Sequence, residues 1–529
     1  MRIRVRFVPL LGTLAIALSA CGGGTSSSAA SGATLVEARV KDAVHLDPAL
    51  ATDGLSLNIT QELFQNLVRF KTGSFEIVPG IADSWKISRD GKTYTFRLKA
   101  NQKFSDGTAL DAEAVKFNFD RWRLKNDPYH GNQPFQYYVD MFGGLPGRVI
   151  AVKADSPTQV TITLDRPVGP FLHDLAMPSF AIGAPDAIKK DANAYDQKPV
   201  ASGPYMVQEW VKDDHITLVA NPHYTGPKPA YSTVIIRDIP DQATSVLSLQ
   251  KGDIDILTDP RPDDAKSLAS QSGIAIYQQP SNNNSYLALN VEKPPFDKLA
   301  VRRAVAYALD LPAIVNGLYS KGAQVANNWT PPGMLGENKA VVAYPHDPAK
   351  ARALLAQAGF PNGFKTQLWY GTAPRPYLPE PQRVAEAIQA QLKAAGIDAT
   401  LTPYEWGVYL SKIRNGEQPM CLIGWSGDNG DPDNFFYPLL DKDSAHKPNA
   451  QNYSFWKDEA FHKLMIAGQT QPNDKKRADI YKEANEMVHD QVPAIPIVHT
   501  TVPFAAKSSI KGIVPNPDTH LQFELMSPG

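Results

Sequence analysis

Cysteine is scarce in this sequence, which contains two, Cys21 and Cys421, among 529 residues. Cys421 lies in the apolar run Met420–Ile423, a setting typical of a buried and unreactive thiol. A framework of several disulfides, on which small secreted domains depend, is therefore excluded. Stability must come from the burial of apolar surface.

An excess of charge of either sign is also missing. The 53 lysines and arginines balance 54 aspartates and glutamates, which leaves a formal net charge of −1. The sequence contains no basic block that could neutralise a run of phosphates. These observations argue against nucleic acid as a partner.

Motifs for catalysis and metal binding are absent too. Gly424–Gly427 is one residue short of the G-x-S-x-G elbow of hydrolases, and no H-E-x-x-H pair occurs. The acidic run that begins at Asp428 fails the calcium-loop pattern, because Gly430 comes third where a glycine is required at the sixth position. The eleven histidines are dispersed without metal-ligand spacing. We predict no catalytic residues, no metal and no cofactor, with a hydrolase as the remote alternative.

The N-terminus carries a targeting pattern. Basic residues just after Met1 precede an apolar run over residues 7–20, as in a secretory signal peptide. Cys21 follows Leu-Ser-Ala, which resembles the bacterial lipobox, and the run is shorter than the ~20 apolar residues that span a bilayer. We predict a lipoprotein signal peptide over 1–20, lipidation at Cys21 and a flexible Gly/Ser-rich tether over 21–33. The protein would then be an extracytoplasmic, periplasmic lipoprotein anchored to the membrane.

The length and the order of the elements indicate α/β architecture in two lobes. A chain of 529 residues exceeds the ~250–300 at which a single core stops growing. Alternating patterns predict strands interleaved with helices, including a long helix over Leu55–Phe70 and a hairpin closed by Asp90-Gly91. Two extended segments, Ser285–Asn290 and Ala494–Val498, favour two crossings between lobes. We predict a discontinuous N-terminal lobe (34–280 plus 499–529), a C-terminal lobe (281–498) and a hinge where the chain crosses.

Several motifs then resemble one family, the family 5 extracellular solute-binding proteins of ABC importers. The longest runs over Pro79–Leu98 and continues at Lys103–Gly107. Further agreement lies at Ser202–Tyr205, at Asn221–Tyr224 and at Val301–Ala308. The resemblance implies a two-lobed periplasmic-binding-protein-like fold (type II, cluster C), with an extra subdomain of the N-terminal lobe over about 57–190. It also implies a monomer that hands its cargo to membrane permease subunits driven by a cytoplasmic ATPase.

Two segments are similar to the dipeptide-binding branch of that family: Arg375-Pro376-Tyr377 and Gly424–Phe436. By that resemblance Arg375 grips the carboxylate of the ligand and Asp428 pairs with its ammonium. The secondary candidates for ligand binding are Tyr137, Tyr377, Trp425, Gly427 and the Asp53-Gly54 turn on the facing lobe.

A dipeptide suits such a pair of charges. It is a zwitterion whose termini are about 7 Å apart or less. A guanidinium offers a carboxylate two parallel hydrogen bonds, and an aspartate supplies the anion for the other end. Arg375 alone would suit any ligand with a carboxylate, so glutathione, a nickel chelate, haem and a longer peptide remain alternatives.

Overall fold

The computed structural model describes residues 32–529. The predicted signal peptide (1–20), the predicted lipidation site Cys21 and nearly all of the predicted tether lie outside this range. The first strand begins at Ala33, where the tether is predicted to end. Within residues 32–529 no helix has the length and apolar character that crossing a membrane requires.

Strands and helices alternate along the described chain. The strands are β1 Ala33–Arg39, β2 Val68–Phe70, β3 Ile77–Pro79, β4 Ala82–Ile87, β5 Thr93–Leu98, β6 Val149–Ser156, β7 Gln159–Leu164, β8 Tyr205–Val211, β9 His215–Ala220, β10 Tyr231–Asp238, β11 Ile256–Thr258, β12 Ile274–Pro280, β13 Asn283–Leu289, β14 Gln324–Val325, β15 Phe364–Gly371, β16 Ile397–Tyr404, β17 Met420–Ser426, β18 Ala494–His499 and β19 Thr501–Lys507. The α-helices are α1 Gly54–Leu63, α2 Ala112–Arg123, α3 Gln136–Phe142, α4 Phe171–Ala176, α5 Pro185–Lys190, α6 Ala192–Gln197, α7 Gln242–Lys251, α8 Pro262–Leu268, α9 Leu299–Ala308, α10 Leu311–Leu318, α11 Pro348–Gln357, α12 Pro381–Ala394, α13 Trp406–Arg414, α14 Asp433–Leu440, α15 Glu459–Thr470 and α16 Asp474–Gln491. This is a mixed α/β chain.

A seven-stranded sheet joins the beginning and the end of the chain. Its order is β12-β19-β11-β1-β10-β9-β8, so β19 lies between two strands that precede it by more than 200 residues. β1 runs parallel to β10 and β11, while β19 is antiparallel to β11 and β12. The C-terminal segment therefore completes a sheet that the N-terminal segment begins.

A six-stranded sheet gathers the strands in between, in the order β14-β18-β13-β17-β15-β16. β15 is parallel to both β16 and β17, so the carboxyl ends of these three strands lie at one edge. β13 is antiparallel to β17 and pairs Asn283 with Ser426 at that edge. Because each sheet has its own set of strands, we propose the lobe boundaries that the sequence predicts, 34–280 plus 499–529 and 281–498.

A four-stranded antiparallel sheet, β4-β5-β7-β6, has a core of its own. Its apolar side chains pack with those of α2, α3 and α4, with Phe96, Phe119 and Trp122 at 1% exposure or less. Asp111 begins α2 by accepting a hydrogen bond from the amide of Ala114, which leaves one fewer unpaired donor at the helix terminus. This unit falls within the stretch 57–190, for which we propose the extra subdomain.

Local sequence signals account for some elements and fail for one. The hairpin predicted around Asp90-Gly91 forms between β4 and β5, with Gly91 at a φ of +70°. The helix predicted over Leu55–Phe70 is wrong beyond Leu63, because residues 68–70 form β2 and pair with β3. Pairing with a distant strand overrides the helical pattern there.

The two crossings between the sheets are bonded to each other. Thr500 donates its amide to Oδ1 of Asn283 at 3.0 Å, and Nδ2 of Asn283 lies 2.6 Å from the Thr500 hydroxyl. The same hydroxyl lies 3.0 Å from the carbonyl of Pro376. The crossing is therefore joined directly to the turn that carries Arg375.

Candidate ligand-binding site

The carboxyl ends of β15, β16 and β17 bring three candidate side chains to one edge. Arg375 follows β15, Trp406 follows β16 and Asp428 follows β17. β15 and β17 are neighbours, and neighbouring strands lie about 4.8 Å apart. Ligands of open α/β sheets bind in the crevice outside the carboxyl ends of the strands. The sheet thus brings a cation and an anion to one edge, and by this rule a ligand would bind there.

Asp428 is a half-buried carboxylate held by neutral donors. Its Oδ1 accepts a hydrogen bond from the Tyr137 hydroxyl at 3.4 Å, and its Oδ2 accepts one from Nδ2 of Asn434 at 3.1 Å. Among residues 32–529 no lysine, arginine or histidine forms an ion pair with it. Burial raises the pKa of Asp428, while the bonds from Asn434 and Tyr137 oppose that rise. An incoming cation would stabilise its ionised form.

Asn434 orients this carboxylate from the first turn of α14. Its Oδ1 accepts hydrogen bonds from the Asp428 amide and from Nε1 of Trp425, both at 3.0 Å. Its Nδ2 donates to the Asp428 side chain. Trp425 is therefore connected to Asp428 through Asn434. The sequence analysis did not single out Asn434, although it belongs to the same motif, Gly424–Phe436.

Arg375 lies in a tight turn and on an aromatic face. The amides and carbonyls of Arg375 and Leu378 bond reciprocally at 3.0 and 2.8 Å. The guanidinium lies 3.8 Å from the centre of the Trp406 ring, in a stacked cation–π contact. Its Nε is buried without a hydrogen-bond partner, and in the part of the chain that the structure describes it forms no ion pair. An unsatisfied buried donor of this kind points to an acceptor that a ligand supplies.

Tyr377 and Gly427 shape the walls of the site. Tyr377 is 7% exposed, and its ring packs against Gly424 of β17. Burial raises the pKa of its hydroxyl. Gly427 exchanges hydrogen bonds with Asn282 at 2.7 and 2.8 Å, and a Cβ at this position would overlap the ring of Phe435. Both residues act through packing, and their contact with a ligand stays a prediction.

The facing lobe contributes α3 and the start of α1. Tyr137 reaches Asp428 from α3, and burial raises the pKa of its hydroxyl, with smaller contributions from Asp428, Asp140 and Asp53. Asp53 caps α1, because its carboxylate accepts bonds from the amide and the hydroxyl of Ser56 at 2.9 and 2.6 Å. Gly54 begins that helix with open space around it. The structure thus brings Tyr137 to Asp428, whereas the side chain of Asp53 caps a helix.

The loop after β17 also touches the N-terminal lobe beyond Tyr137. Asn429 donates to Asp174 of α4 at 2.7 Å, and Nδ1 of His173 lies 3.6 Å from Oδ2 of Asp431. Gly430, at a φ of +65°, packs so closely on Phe75 that a side chain would overlap its ring. The two lobes therefore meet directly around the Asp428 loop.

One group of potential metal ligands lies away from this loop. Asp441, Asp443 and His462 have ligand atoms within 4.8 Å of one another. Nδ1 of His462 lies 3.0 and 3.1 Å from the oxygens of Asp441, and Asp441 also accepts the amide of Asp443 at 2.9 Å. These hydrogen bonds account for the close approach of the three side chains.

Two sheets, each with its own set of strands and joined by paired crossings, define the two-lobed fold of a solute-binding protein. The chain belongs to the bacterial extracellular solute-binding proteins, family 5, whose middle region it matches over residues 76–447. The expected family and the α/β two-lobed fold are confirmed.

Named relatives cover nearly the whole chain. The dipeptide-binding protein of Escherichia coli (strain K12) is 37% identical over 495 residues, which is 91% of this chain and 92% of that one. Heme-binding protein A of Haemophilus influenzae is 33% identical and covers 93% and 92% of the two chains. The solved structure of HbpA2 from Haemophilus parasuis superposes with a TM-score of 0.88, at 33% identity, over 94% of this chain and 100% of that one.

Proposed function

We propose that the protein captures dipeptides and other short peptides in the cleft between its lobes and delivers them to an ABC importer. The observation that carries this proposal is the pair formed by Arg375 and Asp428, opposite charges at neighbouring strand ends with no ion-pair partner in residues 32–529. The partners are the permease subunits and their cytoplasmic ATPase. A lipid on Cys21 anchors the protein, as a monomer, at the periplasmic face of a membrane.

The separation of the two charges sets the length of the ligand. A dipeptide places its carboxylate and ammonium about 7 Å apart or less, so a cation and an anion held at that separation bind both ends at once. A third residue would push one terminus away from its partner. A charge left buried and unpaired in this way costs about 3–5 kcal/mol. Water bridges in the remaining space would accommodate different side chains.

Closure of the lobes follows from contacts that the loop makes on both sides. The carboxylate of Asp428 belongs to the C-terminal lobe, yet the Tyr137 hydroxyl reaches it from the other lobe. A ligand held by Arg375 and Asp428 adds contacts to the facing lobe only when the cleft is shut. Binding therefore shifts the population to the closed form, and the permease recognises that form.

Calorimetric titration with Ala-Ala, tri-alanine, glutathione and free alanine tests the proposal. We expect Ala-Ala to bind with a Kd of about 1 μM, tri-alanine more weakly, and alanine and glutathione weakest. Binding of glutathione without binding of Ala-Ala would overturn the proposal. A parallel optical titration with haem is warranted by the relationship to heme-binding protein A. Haem carries carboxylates but no ammonium, so its binding would not require Asp428.

Removing the side chain of Asn434 should weaken Ala-Ala binding about 10- to 100-fold, since a hydrogen bond to a charged group contributes about 1.5–3 kcal/mol. The Asn434→Ala variant loses the bond that orients the Asp428 carboxylate. Calorimetry in a double-mutant cycle with Asp428→Asn separates this role from a general disturbance. Asn434→Ala should have little further effect once Asp428 is replaced.

Asn415→Ala is the matched control for that experiment. It removes the same kind of side chain from an exposed residue of the same lobe, just after α13. A loss of affinity in Asn415→Ala as large as in Asn434→Ala would contradict a role through Asp428. The role would also be contradicted if Asn434→Ala lowered the affinity for Ala-Ala by the same factor in the wild type and in Asp428→Asn.

A further inference from the structure

A buried ion pair joins α16 to the loop that carries Asp428. The guanidinium of Arg477, on α16, donates to the two carboxylate oxygens of Asp431 at 2.7 and 2.8 Å. Its Nε donates to the carbonyl of Gly468, on α15, at 3.0 Å. Both side chains of the pair are 0% exposed. The loop is therefore fixed from the interior of the C-terminal lobe.

Asp431 connects this ion pair to Asn434 through the start of α14. Its Oδ1 accepts the amide of Asp433 at 2.9 Å, and its carbonyl accepts the amide of Asn434 at 3.2 Å. Asp431 thereby satisfies two amides of the first turn, where a helix lacks partners of its own. Asn434 in turn bonds the amide and the carboxylate of Asp428 at 3.0 and 3.1 Å. A continuous series of hydrogen bonds thus leads from Arg477 to the carboxylate that we propose binds the ammonium.

Stability alone is a weak explanation for this pair. Two charges lose their hydration in the interior, and this cost offsets much of their attraction, so apolar side chains of similar volume often stabilise a protein as well. An ion pair adds direction, because a guanidinium and a carboxylate meet in one planar arrangement. The loop contains Gly427 and Gly430, the second at a φ of +65°, and glycine leaves a backbone many conformations. The pair therefore suits a loop that must keep one conformation.

We propose that Arg477 is a positioning residue for ligand capture, which holds the Asp428 carboxylate in place for the ammonium of the peptide by way of Asp431 and Asn434. The inference rests on the proposed capture of dipeptides. Arg477 is fully buried and acts through its bonds to the loop. Its loss should therefore weaken recognition of the ammonium and leave recognition of the carboxylate by Arg375 unchanged.

Arg477→Met combined with Asp431→Asn tests this role, because it removes both charges of the pair together. Methionine fills much of the space of the arginine, and asparagine keeps an acceptor for the amide of Asp433. The affinity for Ala-Ala should fall about tenfold, the lower end of what a hydrogen bond to a charged group contributes. The affinity for lactoyl-alanine, which has a hydroxyl where the dipeptide has its ammonium, should stay within about twofold of the wild type. Calorimetry measures both affinities, and thermal unfolding checks the fold.

Arg302→Met is the matched control, because Arg302 is another buried arginine of the same lobe that bonds to α16. It is 5% exposed, and its guanidinium donates to the carbonyl of Gln491, at the end of that helix, at 2.8 and 3.0 Å. This variant should be less stable, yet it should keep the wild-type ratio between the affinities for Ala-Ala and lactoyl-alanine. If the double variant lost affinity for both ligands by the same factor, the inference would be overturned. A fall in the ratio in Arg302→Met as large as in the double variant would overturn it too.

Hydrogen exchange without ligand keeps the inference separate from the proposed function. The amide of Asp428 is protected by its bond to Asn434, so in the double variant NMR should show it exchanging about tenfold faster than in the wild type. The amides of β13 should keep their wild-type rates. This comparison decides the role of Arg477 even if Ala-Ala fails to bind the wild type, a result that would count against dipeptide capture alone. Unchanged exchange at Asp428, or equally faster exchange throughout the lobe, would overturn the inference.

Discussion

Replacing Asp428 with asparagine should weaken the binding of Ala-Ala about 10²- to 10⁴-fold. The ligand ammonium would enter a closed cleft without its anion, and a buried charge left unpaired costs about 3–5 kcal/mol. Asparagine has the shape of aspartate and retains partners in Tyr137 and Asn434, so the fold should persist. Isothermal titration calorimetry measures the affinity, and thermal unfolding checks the stability.

Asp140→Asn supplies the control, since it removes a nearby carboxylate that lies on the surface. Its affinity for Ala-Ala should stay within about twofold of the wild type, because exposed charges interact weakly. A second check uses lactoyl-alanine, in which a hydroxyl replaces the ammonium of the dipeptide. Asp428→Asn should bind this ligand as well as the wild type does. An Asp428→Asn protein with wild-type affinity for Ala-Ala would remove Asp428 from the site.

Protonation of Asp428 should weaken ligand binding at acidic pH. Burial raises the pKa of Asp428 in the ligand-free protein, and a ligand ammonium favours the ionised form. Affinity is therefore complete above that raised pKa and falls as the pH falls through it. Calorimetric titrations with Ala-Ala between pH 4 and 7 measure this dependence. A flat profile over that range would contradict the assignment.

Local signals in the sequence were sufficient for a hairpin and for two strands next to the crossings. The Asp90-Gly91 turn and the extended segments Ser285–Asn290 and Ala494–Val498 predict them, and the structure has the hairpin, β13 and β18. These features depend on neighbours within a few residues, which a pattern can register. The family resemblance then singled out Arg375 and Asp428, and parallel pairing of β15 and β17 explains how residues 53 positions apart reach one edge.

Contacts between residues far apart in the sequence could not be predicted from local patterns. Trp406 belongs to no motif that the sequence analysis used, and it reaches Arg375 because β16 pairs with β15. The bond between Asp174 and Asn429 depends on how two lobes meet, and neither residue has a local pattern that indicates a partner. The wrong end of the predicted helix over Leu55–Phe70 has the same origin, since β3 takes residues 68–70 into a sheet.

Arg375 should contribute as much to affinity as Asp428, and its replacement by alanine should weaken Ala-Ala binding about 10²- to 10⁴-fold. The carboxylate of the ligand would lose two parallel hydrogen bonds and its counter-charge. Arg375→Lys keeps the charge but loses the planar fork and the stacking on Trp406, so its affinity should fall between those of the wild type and Arg375→Ala. Calorimetry with both variants separates the contribution of the positive charge from that of the planar guanidinium.

Arg383→Ala is the matched control, since Arg383 is an exposed arginine of the same lobe, on α12. A ligand control is the C-terminal amide of Ala-Ala, which has no carboxylate. Arg375→Ala should bind this amide as weakly as the wild type does, because the group that Arg375 recognises is already missing. If Arg375→Ala lost affinity for the amide and for Ala-Ala by the same factor, Arg375 would be supporting the turn before Leu378 and not the carboxylate. In the wild type, we expect only a ligand that carries both charges at the separation of a dipeptide to bind Arg375 and Asp428 together.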